Sequence, residues 1–382
     1  LSQVVVTGIG LVSALGQTLE DSWQGLLTGQ TGIKLNQPFP ELHQIPLGLI
    51  SSQPSELGHL TQMLVAAALA DGELVPPLAD CAVVIGSSRG YQAVWENMAR
   101  QMSGQDGQPR FLERWLDSLP HMNAMAVARQ IGSVGTVLAP MAACATGIWA
   151  IAQATFLIQT GQYQRAIAGA VEAPITPLTI AGFQQMGALA STGAYPFDVH
   201  REGLVLGEGG AILILESAAL AQQRQAKIYG EILGFGLTAD AYHPNQPEPT
   251  GKSAIAAIQQ CLTRSGLNPQ DIDFIHTHGT ATRLNDHIES QIIDHLFPPQ
   301  VSILATKGST GHTLGASGAL GVAFALKALQ QKTLPPCVGL QQPEFDLNFI
   351  CTPQTTPVEK MLCFSFGFGG QNAVLACGQP RL

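Results

Sequence analysis

Charge is scarce in this chain: Asp, Glu, Lys and Arg make up only 12% of its 382 residues, and aromatics only 6%. With hydrophobic residues at 46%, much of the chain must be interior, and its length allows a large core and two domains or halves. A basic excess is also lacking. The formal net charge is −9, so neither nucleic acid nor a membrane surface is an expected partner, and an acidic partner would need a local basic patch. The seven cysteines contain no C-x-x-C pair, which reads as free thiols in a reducing compartment rather than a disulfide framework. No H-x₃-H or H-E-x-x-H spacing occurs, so no metal is expected. The N-terminus lacks a basic leader and enters a strand pattern directly, which predicts a cytoplasmic protein, or a plastid stromal one after loss of a transit peptide. The uncharged stretch from Val137 to Ile158 contains Pro140 and reads as a buried helix, not a membrane span.

Short β-rich runs alternate with helical patterns. Val4–Val6, Ala82–Ile85, Arg165–Ala168, Ala211–Leu215, Ile228–Gly234, Phe274–Ile275, Lys360–Ser365 and Ala373–Ala376 predict strands. Glu20–Leu27, Leu60–Leu69, Cys144–Ile158, Ala218–Gln225, Lys252–Ser265 and Gly315–Leu329 predict helices. Such alternation predicts an α/β fold with sheets covered by helices. A boundary near residue 226 divides a first half, 1–226, from a second, 227–382. Ser87–Val134 fits the alternation poorly and reads as an excursion serving a dimer or a pocket.

Four segments carry chemistry. Cys144 stands in Pro-Met-Ala-Ala-Cys-Ala-Thr-Gly, between a strand pattern and a long apolar helix. A cysteine in an apolar run is more often inert core than nucleophile. A strand-to-helix elbow, however, would set the thiol at a helix N-terminus, where free amides and the macrodipole favour thiolate. His278 lies in His-Thr-His-Gly-Thr-Ala-Thr after a strand, and His312 in Thr-Lys-Gly-Ser-Thr-Gly-His-Thr-Leu-Gly. Either could equally be a structural histidine; His276 and His287 read as bystanders. Thr280 and Thr282 could hold an extended polar ligand through their hydroxyls, and Lys307 could tune His312 electrostatically. The run Phe364–Asn372 alternates Phe and Gly, which lets backbone amides approach a ligand.

Taken in order, these segments resemble the elongating β-ketoacyl-[acyl carrier protein] synthases, condensing enzymes of the thiolase superfamily. The resemblance spans nearly the whole chain, through Val5–Gly10, Ala143–Gly147, Pro196–Asp198, Arg201–Gly203, Gly207–Gly209, Thr238–His243, His278–Thr282, Lys307–Gly315 and Phe366–Gly370. It implies a thiolase-like five-layer αβαβα fold of two similar halves and, usually, a homodimer. It further implies that Cys144 takes an acyl group from acyl carrier protein as a thioester and that His278 and His312 stabilise the enolate formed as malonyl carrier protein loses CO₂. The amides of Cys144 and Phe368 would receive the oxyanion, Phe368 would gate the pocket, and Lys307 would organise the His312 side. Thr280, Thr282, Phe183 and Arg89 would contact substrate. No resident cofactor is implied, because 4′-phosphopantetheine arrives on the carrier protein with the acyl and malonyl thioesters.

Several positions depart from the family pattern. Gly321 stands where an acidic residue is usual, so the customary partner of Lys307 is expected to be missing. Arg283 follows Thr282 in place of proline, near the expected carrier-arm entrance, and Trp149 replaces a smaller polar ring. Arg89, in Gly-Ser-Ser-Arg-Gly, takes an apolar position at the far end of the acyl pocket and is expected to shorten or polarise it. A degradative thiolase is disfavoured because Cys377-Gly378 lies in the wrong context for its second cysteine. The rival reading is a weakly active or non-catalytic partner subunit of a heterodimeric condensing enzyme.

Overall fold

A computed structural model describes residues 2–103 and 112–380. Its strands are β1 (Val4–Val12), β2 (Lys34–Asn36), β3 (Ile45–Leu47), β4 (Ala82–Gly86), β5 (Val137–Leu138), β6 (Arg165–Glu172), β7 (Gly209–Ser217), β8 (Gly230–Ala239), β9 (Phe274–His276), β10 (Ser302–Leu304), β11 (Thr333–Leu334), β12 (Gln354–Thr355), β13 (Lys360–Gly367) and β14 (Gln371–Gly378). Its helices are α1 (Leu19–Leu27), α2 (Leu57–Asp71), α3 (Gln92–Ser103), α4 (Met122–Ile131), α5 (Thr146–Gln159), α6 (Pro177–Gln185), α7 (Ala218–Gln223), α8 (Lys252–Ser265), α9 (Arg283–Leu296), α10 (Lys307–Thr310) and α11 (Ser317–Gln331).

Ten strands join in the order β10-β9-β13-β14-β8-β1-β7-β6-β4-β5. β1 pairs with β7 along its length but with β8 only through Val4–Val6. The β1–β7 register shifts between Val6 and Gly8, where the pairing with β8 also ends. A bulge there twists the strand away. The two half-sheets therefore diverge, and α5 and α11 fill the space between them: α5 packs on β4, β6, β7, β8 and β14, and α11 on α5, β7, β13 and β14. Outside, α2 covers β1 and β7, α4 covers β4, and α8 covers β8 and β14. Ile288, Ile292 and Ile293 of α9 join Ile275, Phe364 and Val374 in the second core. This is the five-layer αβαβα arrangement.

The middle layer explains the uncharged stretch. α5 buries Ile148, Leu157 and Ile158 on different faces because it has sheet on both sides and α11 beside it. Each such side chain contributes about 1.5–3 kcal/mol on leaving water. No helix among the described residues is long and apolar enough to cross a membrane. At the crossing of α5 and α11, a Cβ on Gly147 would stand 2.6 Å from the backbone nitrogen of Ala319, so only glycine allows that approach.

Two predicted helices begin two residues later than expected. The expected helix over Cys144–Ile158 begins at Thr146, because Ala143 takes φ 46° and turns the chain before the first helical residue. The expected Gly315–Leu329 helix is a 3₁₀ turn, Leu314–Ala316, followed by α11. The expected excursion holds α3 and α4, although its residues 104–111 lie outside the described residues.

Candidate active site

The elbow at Cys144 is held from both sides. Thr146 Oγ1 donates to the Ala143 carbonyl at 2.7 Å and accepts from the Ala142 amide at 2.9 Å, while Ser365 Oγ of β13 donates to the Cys144 carbonyl at 2.8 Å. Positive φ at a residue other than glycine, as at Ala143, is strain that persists only where neighbours enforce it. Cys144 is 8% exposed. Burial pushes its pKa up to about 11; Lys307 and Arg89 draw it down, Glu172 opposes them, and the Phe368 amide lowers it by hydrogen bonding. Desolvation is the largest of these influences and leaves the resting group a thiol near pH 7.

His278 follows β9 directly. Its amide donates to Glu289 Oε1 at 2.6 Å, and the Gly279 amide donates to Oε2 at 2.7 Å. Lys307 Nζ donates to the His278 carbonyl. His312 is fixed through its backbone, donating to the Val205 carbonyl at 2.6 Å and accepting from the Gly207 amide at 3.0 Å. The two rings meet edge to face with centroids 5.3 Å apart. Burial, and then the Lys307 cation, hold both imidazoles well below their ordinary pKa, so each is neutral near pH 7. Cys144 Sγ and one nitrogen from each ring lie within 4.8 Å of one another. His276 stands behind this group with its Nε2 3.0 Å from Thr306 Oγ1, and His287 packs against Phe345; neither joins it.

Above the three side chains opens a cavity of about 360 Å³ lined by residues including Phe183, Thr280, Thr282, Arg283, Phe366 and Phe368. The Thr280 and Thr282 hydroxyls are 2.8 Å apart. Phe368 is 37% exposed and stacks on Phe183 with centroids 6.0 Å apart. Arg89, expected to line the pocket, is not among the lining residues. Its guanidinium lies 5.6 Å from the centroid of the Phe183 ring, and it feels the buried Glu172, which accepts from Ser87 Oγ at 3.1 Å.

The missing partner of Lys307 is supplied from elsewhere. Glu289 and Asp286, one helical turn apart on α9, attract the lysine, and Glu289 is the stronger of the two. Burial raises Asp286 to about 6 and Glu289 to about 7. Sequence reading passed over both carboxylates, although Asp286 and Glu289 share one face of a helix directly after Thr282, a spacing visible in the chain. Gly321 leaves room for another group: a Cβ there would lie 2.7 Å from the His276 ring.

Comparison with known proteins gives concordant results. Residues 53–221 match the family described as Beta-ketoacyl synthase, N-terminal domain, and residues 229–341 its C-terminal domain. The chain is 34% identical over 408 residues to 3-oxoacyl-[acyl-carrier-protein] synthase 2 of Synechocystis, covering 98% of this chain and 97% of that one. It is 32% identical over 433 residues to the mitochondrial 3-oxoacyl-[acyl-carrier-protein] synthase of Arabidopsis thaliana, covering 98% and 92%. A solved structure of a type II PKS acyl-carrier protein in complex with its ketosynthase bound to the hexaketide superposes with TM-score 0.94 at 26% identity, covering 99% of this chain and all of that one.

Proposed function

The chain belongs to the β-ketoacyl synthase family, and from that premise we propose how its residues divide the work of an acyl-transferring condensation. The reaction joins an enzyme-bound acyl group to the two-carbon unit of malonyl carrier protein, giving β-ketoacyl carrier protein and CO₂. The observation that carries the assignment of roles is the convergence of Cys144, His278 and His312 beneath one cavity.

Cys144 attacks the incoming acyl thioester. Its proton passes by way of a neutral imidazole to the departing carrier thiol, and the acyl group remains on sulfur. Malonyl carrier protein then extends its pantetheine arm past Thr280 and Thr282. His278 and His312 each donate a ring N–H to the malonyl thioester oxygen, so the electron pair left by CO₂ settles as an enolate. Two donors on a developing charge lower the barrier by roughly 3–4 kcal/mol each. Neutrality suits this role, because a neutral imidazole donates without itself becoming an acid. The enolate carbon attacks the acyl carbonyl, whose oxyanion meets the amides of Cys144 and Phe368. Collapse expels the Cys144 thiolate, which is reprotonated. Lys307 orients the His278 loop and holds the imidazoles neutral.

The chemistry needs no resident cofactor, since pantetheine enters with the substrate. The likeness to a ketosynthase in complex with an acyl-carrier protein supports carrier protein as the partner, and Arg283 at the cavity supplies a local cation for it. A homodimer is supported by apolar side chains flanking the edge strand β5: Val134 is 86% exposed and Met141 56%. Seven free cysteines support a reducing compartment, cytoplasm or plastid stroma. A non-catalytic subunit is not favoured, because nucleophile and both donors are present and assembled.

The test is intact-mass analysis of wild type and Cys144→Ala after exposure to acyl carrier protein thioesters of graded length, followed by malonyl carrier protein. A Cys144-dependent acyl adduct that discharges into β-ketoacyl product is the expected result. Folded wild type that forms no adduct with any primer would overturn these roles.

A further inference from the structure

We propose that Cys144, His278 and His312 also form a soft-metal site, in which a thiophilic divalent cation such as Zn²⁺ binds all three side chains and silences the nucleophile. Thiolate and imidazole are the donors such ions select, and three protein ligands with a fourth position open is an arrangement zinc adopts. Cys144 Sγ and a nitrogen of each ring lie within 4.8 Å of one another, and all three residues are at least nine-tenths buried. Nδ1 of each ring is buried with no hydrogen-bond partner among the described residues. Zn–S of about 2.3 Å and Zn–N of about 2.0–2.1 Å set tetrahedral ligand atoms about 3.3–3.6 Å apart. The three atoms therefore need to close by up to about 1.5 Å, which side-chain torsions provide.

The cavity gives the ion a way in and leaves its fourth position to water. On binding, the Cys144 thiol exchanges its proton for the metal: an S–Zn bond forms, H⁺ goes to solvent, and nothing is oxidised or reduced. The trio offers no oxygen ligand, so hard cations such as Mg²⁺ are excluded. The absence of a local metal spacing in the sequence has a simple cause. The three ligands come from the α5 elbow, the turn after β9 and the turn before α11, and only the fold unites them.

The test reads alkylation of Cys144 rather than condensation, so its outcome is separable from that of the proposed reaction. The full chain is treated with iodoacetamide at graded free Zn²⁺, and modification of each cysteine is followed by peptide mass spectrometry. At free Zn²⁺ ten times its dissociation constant, Cys144 alkylation slows about tenfold, and EDTA restores it. Exposed Cys351 keeps its rate and serves as internal control. Mg²⁺ has no effect, and His312→Ala loses the protection while its Cys144 still reacts. Co²⁺ bound to wild type shows a thiolate charge-transfer band that Cys144→Ala lacks. Zinc that leaves the Cys144 rate unchanged, or that protects a folded His278→Ala/His312→Ala double variant equally well, overturns the proposal.

Discussion

Gly147→Ala would push apart the two helices on which the site rests. The added Cβ would lie 2.6 Å from the Ala319 backbone nitrogen and 2.9 Å from its Cβ, the first about 0.8 Å short of ordinary contact. Both atoms belong to the α11 backbone or its first side-chain carbon, so no rotamer change relieves the clash. Overpacking of this kind costs about 3 kcal/mol, the upper part of its usual range. Alanine in place of glycine inside a helix returns about 1 kcal/mol. A net loss of about 2 kcal/mol is expected. Gly182→Ala in α6 is the control: nothing lies within 4 Å of its Cβ, so only the helix gain of about 1 kcal/mol remains. Cys144 directly precedes α5 and His312 shortly precedes α11, so separating the helices also separates nucleophile from donor. A displacement near 1 Å lowers kcat/KM by about 10²-fold. Urea midpoints at constant slope and condensation rates with one acyl primer measure both effects. If Gly147→Ala matches the stability of Gly182→Ala and keeps wild-type kcat/KM, the close-approach argument is wrong.

Other substitutions and conditions probe the site more locally. With the thiol at about 11, alkylation of Cys144 should climb about tenfold per pH unit from pH 7 to 10, as the thiolate fraction rises toward its pKa; a plateau below pH 8 would contradict this. Lys307→Met removes a cation that lowers that pKa, so the same rates should fall and the curve move to higher pH. Glu289→Gln faces an amide NH₂ toward one of the two backbone N–H groups the carboxylate accepts, costing about 1–3 kcal/mol and lowering kcat more than it raises KM. Arg89→Leu should shift primer preference toward longer saturated chains, read by competing acyl carrier protein thioesters; an unchanged profile would show that Arg89 has no influence on the pocket through Phe183.

Much of this molecule can be read from local pattern. β1 and β4 appear as β-branched runs, β6 and β7 as short apolar ones, and α8 coincides with its predicted span because Gly251 and Gly266, both at positive φ, bound it. α6 was legible but passed over: Thr176 accepts from the Thr179 amide as N-cap, with proline at the first helical turn. α9 carries Ile288 and Ile292 at helical spacing and was missed as well, and with it Asp286 and Glu289. The strand order was beyond local reading, since β1 pairs with segments far along the chain and no short-range pattern encodes that choice. Cys144, His278 and His312 were legible as residues in unusual turns. Their protonation was not, because it depends on burial and on Lys307, which only the assembled layers bring to bear. Arg89 shows the same limit: a lining position by sequence, it meets the pocket through the ring of Phe183.

The place of β1 at the centre of the sheet has a consequence for biosynthesis. It leaves the ribosome ahead of the other strands described above, yet its partners are β7, paired from Gly210 to Ser217, and β8, paired from Gly230 to Ile232. Until the chain has been translated through those strands, β1 emerges with both edges open and every residue bound for the interior. The other half-sheet waits longer, because β14, the last of the described strands, lies between β13 and β8. Such pairing makes loop closure slow relative to synthesis and leaves nascent apolar edges exposed. Truncated nascent chains ending before β7 should bind holdase chaperones, and chains ending before β14 should hold a nucleophile whose catalytic partners have not yet docked.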